Sequence, residues 1–512
     1  MKFAYRSRLQ VLTFSGYQQL PDWASWTSGL TLGASFGLLL SGIIAIVSGV
    51  VGLHGAASQT PELLITGTLS GLLGSFLFSI VRPPPKHRTA DIFGGFFSLS
   101  ISSIISSGIV FYITDSVEHF DTALYEATVS LTTTALSTLN TSQITPEMQF
   151  FRGSLQWAGG LIVLILGAAI IPVVGSKSEP SIQIERNEAL ALGSTRQSAI
   201  LNILKIYIPL SFLLWIAFAL TGTGIFDGLL LAISTVSTGG FVPEGNPFED
   251  SATQWITIAG MCLSGTSFVV LWRLALRKPG ELRNSAELKV YFSVIALSAL
   301  TLFIFSQDFT YENFRASFFV ASSAISTTGF PATITGEWIP IFTVLVLLIT
   351  AIGGMAGSAS GGFNIRSLIV LIRLSVREMV RQLHPRSVSR IQIDGKPLSE
   401  STVDHTVVLQ FLFVSVVVIT CIGVSITELD LFSGINAAVH STATAGPLRS
   451  IDGALTEVST WTRPTRSLLM PAMILGWLAI FPVLIVAGEF TSFLKSKFRS
   501  VKRTVIEVRS NE

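Results

Sequence analysis

Four short stretches rich in Ser, Thr and Gly hold the residue types that could do chemistry here. Ser326-Thr327-Thr328-Gly329-Phe330 follows an apolar run at 318–325, and Ser237-Thr238-Gly239-Gly240-Phe241 follows one at 229–236. Thr132-Thr133-Thr134-Ala135-Leu136 follows 123–131, and Ser441-Thr442-Ala443-Thr444-Ala445-Gly446-Pro447 follows 432–439. Each run is far shorter than the ~20 apolar residues a bilayer crossing needs, and each lies between two longer apolar segments. Irregular backbone at membrane depth is tolerated only where protein buries it or where it lines a watery cavity. Coordination of a cation supplies a reason, because a ring of backbone carbonyls can replace the hydration shell of a potassium ion. Glycine permits the φ > 0 conformations that aim successive carbonyls at one axis. Threonine and serine add hydroxyls that coordinate directly or satisfy neighbouring backbone. The four loops are therefore expected to surround a common axis.

Each apolar run begins near an acid: Asp121, Asp227, Glu312 and Asp430. Acids there are expected to cap helices whose C-termini, carrying partial negative charge, point at the loops. A capped surface helix is common; its repetition at four equivalent places favours the ion-directed reading. Other chemistry is sparse. His87, His119 and His440 have no metal-ligand spacing, and no nucleophile–base pair suggests an enzyme. Cys262 and Cys421 fall inside apolar spans, which argues against a disulfide framework. The tract Gly353-Gly354-Met355-Ala356-Gly357-Ser358-Ala359-Ser360-Gly361-Gly362 suits small-residue helix packing; no Gly-Lys-Ser/Thr follows it, so it is not a phosphate loop. Asp91 is expected at the membrane interface rather than buried, and Glu489 is expected to snorkel.

The elements that must position these loops are membrane spans. The 512-residue chain is 49% hydrophobic and 12% charged, with mean hydropathy +0.62, whereas soluble domains carry roughly 25% charged residues. The expected fold class is an all-α membrane protein: a pseudo-fourfold arrangement of four span–pore loop–span modules preceded by two extra transmembrane helices. Residues 1–89 form an N-terminal segment with spans at 30–53 and 63–81. Pore module 1 occupies 90–196, with spans at 92–113 and 151–174. Module 2 occupies 197–286, with spans at 200–220 and 256–275. Module 3 occupies 287–402, its second span interrupted at 353–362. Module 4 occupies 403–512, with spans at 407–426 and 468–487 and a basic tail.

Basic residues cluster in the N-terminus, in loops 82–88, 177–196, 277–283 and 377–396, and in the tail. An even number of spans separates each cluster from the next, which places both termini in the cytoplasm by the positive-inside rule. The opposite loops hold Asp115, Glu118, Asp121, Glu126 and Glu147, then Asp227, Glu244, Glu249 and Asp250. An acidic outer face would concentrate cations at a pore mouth; the bland alternative is the complement of the positive-inside rule. No cleavable signal peptide and no sizeable soluble domain is evident, so a cytosolic regulator would be another chain.

These residues resemble the Trk/Ktr/HKT superfamily of potassium uptake proteins, and its Trk-type bacterial subunit most closely, over about residues 90–500. The four loops carry the resemblance. So do Arg152-Gly153-Ser154-Leu155-Gln156-Trp157-Ala158-Gly159-Gly160, the 353–362 tract, His384-Pro385-Arg386, and Gly395-Lys396-Pro397-Leu398-Ser399. The resemblance implies a homodimer in the cytoplasmic (inner) membrane, gated by a cytosolic TrkA-like nucleotide-binding regulatory subunit, with potassium as substrate, no cofactor and no nucleic acid partner. Carbonyls before each filter glycine would bind potassium: Thr133 and Thr134, Thr238 and Gly239, Thr327 and Thr328, Thr444 and Ala445, with Ala135, Gly240, Gly329 and Gly446 completing the filter. Gly353, Gly354, Gly357, Ser358, Gly361 and Gly362 would form an intramembrane gate, and 384–399 a cytosolic hairpin.

Two departures from the family pattern bear on selectivity. Ala135 stands where glycine is usual, and a Cβ disfavours φ > 0 by roughly 1–2 kcal/mol; related plant members with a non-glycine residue there tend to prefer sodium. Trp477 and Ala479 stand where relatives carry Arg and Glu, and that Arg is thought to hinder ion passage below the filter. The readings left open are potassium uptake, a sodium-permeable or weakly selective variant, a secondary transporter for a small solute, by symport or otherwise, and a non-conducting membrane regulator. A secondary transporter typically shows two related halves rather than four units, and acids within the membrane when proton-coupled.

Overall fold

The computed structural model describes residues 22–53, 59–81, 89–174, 196–245, 247–277, 285–306, 308–331, 339–385, 390–478, 480, 483–484, 486–489 and 491. The basic stretches at 1–21, 82–88, 177–195 and 278–283, the tail beyond 491, and Ala479 lie outside them.

Among the described residues the regular elements are helices apart from one small hairpin. Helices α1 (Asp22–Gly52), α2 (Thr60–Ile80) and α3 (Thr89–Ile113) pack together at the start. Small residues on α1 let the backbones touch: a Cβ built on Gly29 would lie 2.7 Å from the Asp91 carbonyl oxygen of α3. That close approach covers Asp91, which is 2% exposed. The interfacial position expected for it is therefore corrected, since small-xxx-small packing of this kind brings a helix neighbour directly over the site.

Four short helices follow at intervals: α4 (Phe120–Leu131), α7 (Ile225–Val236), α11 (Tyr311–Ile325) and α15 (Leu431–Thr442). At 1.5 Å per residue each reaches only about 20 Å. Each packs most extensively on the long helix before it: α3, α6 (Arg196–Leu220), α10 (Ala286–Phe305) and α14 (Glu400–Thr427). The apolar segment after each short helix completes its surroundings. These are α5 (Pro146–Val174), the pair α8 (Ser251–Ser264) and α9 (Phe268–Ala275), the pair α12 (Pro340–Ile352) and α13 (Ile365–Leu383), and α16 (Arg463–Trp477). By length and composition α1, α2, α3, α5, α6, α10 and α14 are each long and apolar enough to cross a membrane.

Two further expectations are corrected. The segment 256–275 is not one straight span, because α8 and α9 meet at a 103° bend. Gly265 caps α8, and the break is satisfied by the 353–362 tract: Phe268 N–H donates to Gly357 O (2.9 Å), and Met355 N–H donates to Gly265 O (3.0 Å). Nor does 468–487 run through. Its helix ends at Trp477 with Leu478 as cap, and Ile480 takes φ 49°. The hairpin pairs β1 (Gln392–Ile393) with β2 (Lys396–Pro397). Its turn, Asp394 (φ 53°) and Gly395 (φ 75°), has the left-handed pair that two-residue hairpins favour.

Candidate functional site

The C-termini of α4, α7, α11 and α15 share one geometry. Thr132, Ser237, Ser326 and Ala443 are the C-caps, and the next residue is left-handed every time: Thr133 (φ 55°), Thr238 (55°), Thr327 (54°) and Thr444 (49°). In each, the following N–H reaches back into the last turn: Thr134 to Val129 O (3.0 Å), Gly239 to Ser234 O (2.8 Å), Thr328 to Ser323 O (3.1 Å), Ala445 to His440 O (2.9 Å). This is the Schellman termination, normally built with glycine at the left-handed position. A β-branched residue there is a real outlier, costing roughly 1–2 kcal/mol. Strain of this kind persists only where the surroundings over-determine it, and it clusters at functional sites.

The four loops touch one another in a closed circuit. A Cβ on Gly240 would meet the Thr328 carbonyl of the third loop and, at 2.7 Å, the Ala135 methyl of the first. A Cβ on Gly329 would lie 2.6 Å from Gly446 N of the fourth loop, and one on Gly446 would lie 2.6 Å from the Ala135 methyl. Thr133, Thr134, Thr238, Gly239, Gly240, Thr327, Thr328, Gly329, Thr444, Ala445 and Gly446 are buried, with Ala135 half-buried. All twelve sequence-predicted filter residues thus gather in one place. Four helix C-termini, each carrying about half a negative charge, end there.

The loops are not equivalent. Gly240 and Gly329 take φ 76° and 75°, while Ala135 and Gly446 stay out of the left-handed region. The strain anticipated at Ala135 therefore sits elsewhere, at Thr133. Thr134 O accepts Leu136 N–H at 2.9 Å, closing a tight turn around Ala135 that commits this carbonyl to the protein. On the second loop, Gly239 O accepts Gln156 Nε2–H at 2.7 Å.

The supports behind the loops were mostly hidden in the sequence. Glu126, expected on an acidic outer face, is 0% exposed. Its carboxylate accepts Ser137 Oγ–H (2.8 Å), Thr138 N–H (2.6 Å) and Thr138 Oγ1–H (2.6 Å). Arg152 also donates to Ser137 Oγ (3.2 Å), and its guanidinium lies 4.1 Å from the Phe241 ring centre on the second loop. Tyr125 Oη–H donates to Leu136 O at 2.8 Å. Glu147, at 0% exposed, is likewise not on the outer face. A helix-borne carboxylate on a side turned to the protein cannot be told from a surface one by composition. Asp115, Glu118, Glu244, Glu249 and Asp250 are exposed. The expected capping is corrected as well. Only Asp430 caps its helix, accepting Phe432 and Ser433 N–H at 3.1 and 3.2 Å. Thr310 caps α11 instead of Glu312, and Asp121 and Asp227 lie within the first turns after His119 and Gly224.

Beneath the loops lies a cavity of about 330 Å³, walled largely by apolar groups. The 355–364 tract, Phe268, Phe413, Thr444 and Trp477 line it. Trp477 is 4% exposed, and among the described residues its buried Nε1–H has no partner. Gly353, Gly354, Gly357, Ser358, Gly361 and Gly362 form a non-helical excursion between α12 and α13. Its neck is closed by Phe363 N–H to Ala351 O and Ile365 N–H to Gly354 O, both 2.9 Å. Its upper edge touches the loops: Thr238 Oγ1–H donates to Ala359 O at 3.1 Å, and Gly361 N–H donates to Thr327 Oγ1 at 3.0 Å. Among the described residues no group of three or more His, Cys, Asp or Glu gathers. His440 is buried, with Nδ1 3.0 Å from Asn436 O.

The sequence profile of TrkH, described as cation transport protein, matches residues 97–310 and 304–492. The chain is 27% identical over 385 residues to the Trk system potassium uptake protein TrkH of Vibrio parahaemolyticus, covering 71% of this chain and 78% of that one. It is 26% identical over 391 residues to the Trk system potassium uptake protein TrkG of Escherichia coli, covering 72% and 79%. A crystal structure of the potassium transporter TrkH from Vibrio parahaemolyticus superposes with TM-score 0.79 over 89% of this chain and 98% of that one, at 24% identity, a likeness of fold.

Proposed function

Because the chain belongs to the TrkH family of cation transport proteins, and so is a multi-pass membrane transporter rather than an enzyme, we propose that it takes up potassium through the ring of four loops. In this reading the fold is a pseudo-fourfold pore of span–pore loop–span modules behind two extra helices, within the domain bounds set out above. The observation that carries it is the quartet of left-handed threonines on four loops that meet in one closed circuit, since strain repeated four times around one axis needs a ligand to justify it. Thr133, Thr134, Ala135, Thr238, Gly239, Gly240, Thr327, Thr328, Gly329, Thr444, Ala445 and Gly446 form the filter. Gly353, Gly354, Gly357, Ser358, Gly361 and Gly362 form the gate at the cavity roof. Relatives named as potassium uptake proteins support the choice of ion. Both termini face the cytoplasm of the inner membrane, where a nucleotide-binding subunit regulates the homodimer.

A second reading concerns selectivity. The Thr134 carbonyl is held by Leu136 N–H and the Gly239 carbonyl by Gln156 Nε2–H, so the first two loops each offer one weakened ligand to a potassium-sized ring, and sodium permeates alongside potassium. Rubidium and sodium flux into proteoliposomes tests both readings. Absence of monovalent cation flux, with and without a cytosolic partner, overturns the first. Strong rejection of sodium overturns the second.

A further inference from the structure

The intramembrane excursion is held unequally along its length. Its first part is bonded to neighbouring helices residue by residue: Met355 N–H to Gly265 O (3.0 Å), Ala356 N–H to Glu287 Oε1 (2.7 Å) and Gly357 O to Phe268 N–H (2.9 Å). The crown, Ser358 to Gly361, is bonded mainly within the excursion: Ser360 N–H donates to Ser358 Oγ at 3.3 Å, and Ser358 Oγ–H reaches Met355 O at 2.7 Å. Among the described residues, the hydrogen bonds that leave the crown for another element are those to the hydroxyls of Thr238 and Thr327. Gly361 also presses against Thr444, where an added Cβ would lie 2.6 Å from Oγ1.

These hydroxyls sit on two of the four left-handed threonines, at the junction of loops and cavity. A threonine Oγ can accept from an amide or turn a lone pair to a cation, and one position of the oxygen cannot serve both well. We propose that Thr238 and Thr327 are positioning residues shared between gate and ion: their hydroxyls latch the crown shut, and on release they complete the inner end of the ion path. This rests on the reading of 353–362 as a gate. The two latches are unequal. Thr327 Oγ1 takes the Gly361 amide at 3.0 Å, whereas Thr238 divides its proton between Ser237 O at 2.7 Å and Ala359 O at 3.1 Å. Thr327 is the stronger. At Thr327 the crown amide and a cation compete for the same oxygen, whereas Thr238 holds the crown by donating its proton; a permeant cation therefore favours release at Thr327, and the coupling is reciprocal.

The experiment uses the full-length protein in proteoliposomes. Crown exposure is read as the rate at which a methanethiosulfonate reagent modifies a thiol introduced by Ser360→Cys, with the parent's own cysteines as background. Rubidium flux is measured on the same vesicles. Thr327→Val removes the acceptor and keeps the shape, while Thr327→Ser keeps the hydroxyl. Loss of one neutral hydrogen bond shifts a two-state equilibrium by about fivefold. The modification rate is therefore expected to rise about fivefold in Thr327→Val, less in Thr238→Val, and little in Thr327→Ser. Rubidium is expected to accelerate modification in the parent and to lose that effect in the double valine variant. If the valine variant does not fold, Thr327→Ala carries the same comparison. Unchanged thiol reactivity in the variants lacking the hydroxyl overturns the latch. Loss of flux from every variant, parent included, overturns the transport reading instead, and the thiol rates still decide the latch.

Discussion

At the scale of single residues, Ala135 and the Glu126–Arg152 pair make separate demands. Ala135 keeps the first loop in a tight turn and wedges its methyl between Gly240 and Gly446. Ala135→Gly is expected to raise the potassium-to-sodium permeability ratio by about tenfold, equivalent to 1.4 kcal/mol of discrimination, read from reversal potentials or paired fluxes. Glu126 and Arg152 meet on Ser137, both buried. Glu126→Gln leaves the guanidinium without its counter-charge and is expected to cost roughly 3 kcal/mol, read as a lowered unfolding midpoint in detergent. The loops themselves were legible because Ser, Thr and Gly after a truncated apolar run are unusual at membrane depth. Their exact backbone was not: nothing local says that threonine rather than glycine takes the left-handed position four times. Gln156 was hidden for another reason. Its bond to Gly239 O joins residues 83 apart in sequence, and no periodicity reports such a pair.

At the scale of elements, the short helices differ at their outer ends despite their common inner ends. Asp430 caps α15, and hydrogen bonds from the Ser433 side chain and backbone, with one from the Phe432 backbone, hold its carboxyl below the usual aspartate range. A lowered folded pKa contributes stability above the unfolded value, and that contribution fades as pH falls through the folded one. Asp430→Ala is expected to cost about 1 kcal/mol at neutral pH, the difference from parent shrinking below about pH 4. Glu312→Ala, lacking a cap bond because Thr310 supplies it, is expected to change the midpoint far less. Acids near helix starts were readable; which of them turns back onto the first N–H groups depends on the entry angle of the chain. The breaks at 265–267 and after Trp477 were missed because uninterrupted hydropathy looks the same whether or not a helix bends within it. The 353–362 break was legible because its glycines are dense.

At the scale of the whole molecule, composition alone placed the chain in a bilayer, and the order of apolar runs carried the helical architecture. How the helices pair and which carboxylates they hide came only from packing, as Asp91 and Glu147 illustrate. The hairpin is tied to the start of α10, where Asp394 Oδ1 accepts Ala286 N–H at 2.6 Å, next to the Glu287 that holds Ala356. Asp394→Ala is therefore expected to leave basal rubidium flux in place and weaken its response to a cytosolic regulatory subunit several-fold, measured with and without that subunit. Of the apolar segments that follow the four short helices, α5 alone runs unbroken past the ring, while the other three are jointed beneath it. One side of the conduit is consequently a rigid mast and the other sides are hinged. Widening of the throat should be lopsided, swinging away from α5 rather than dilating like an iris.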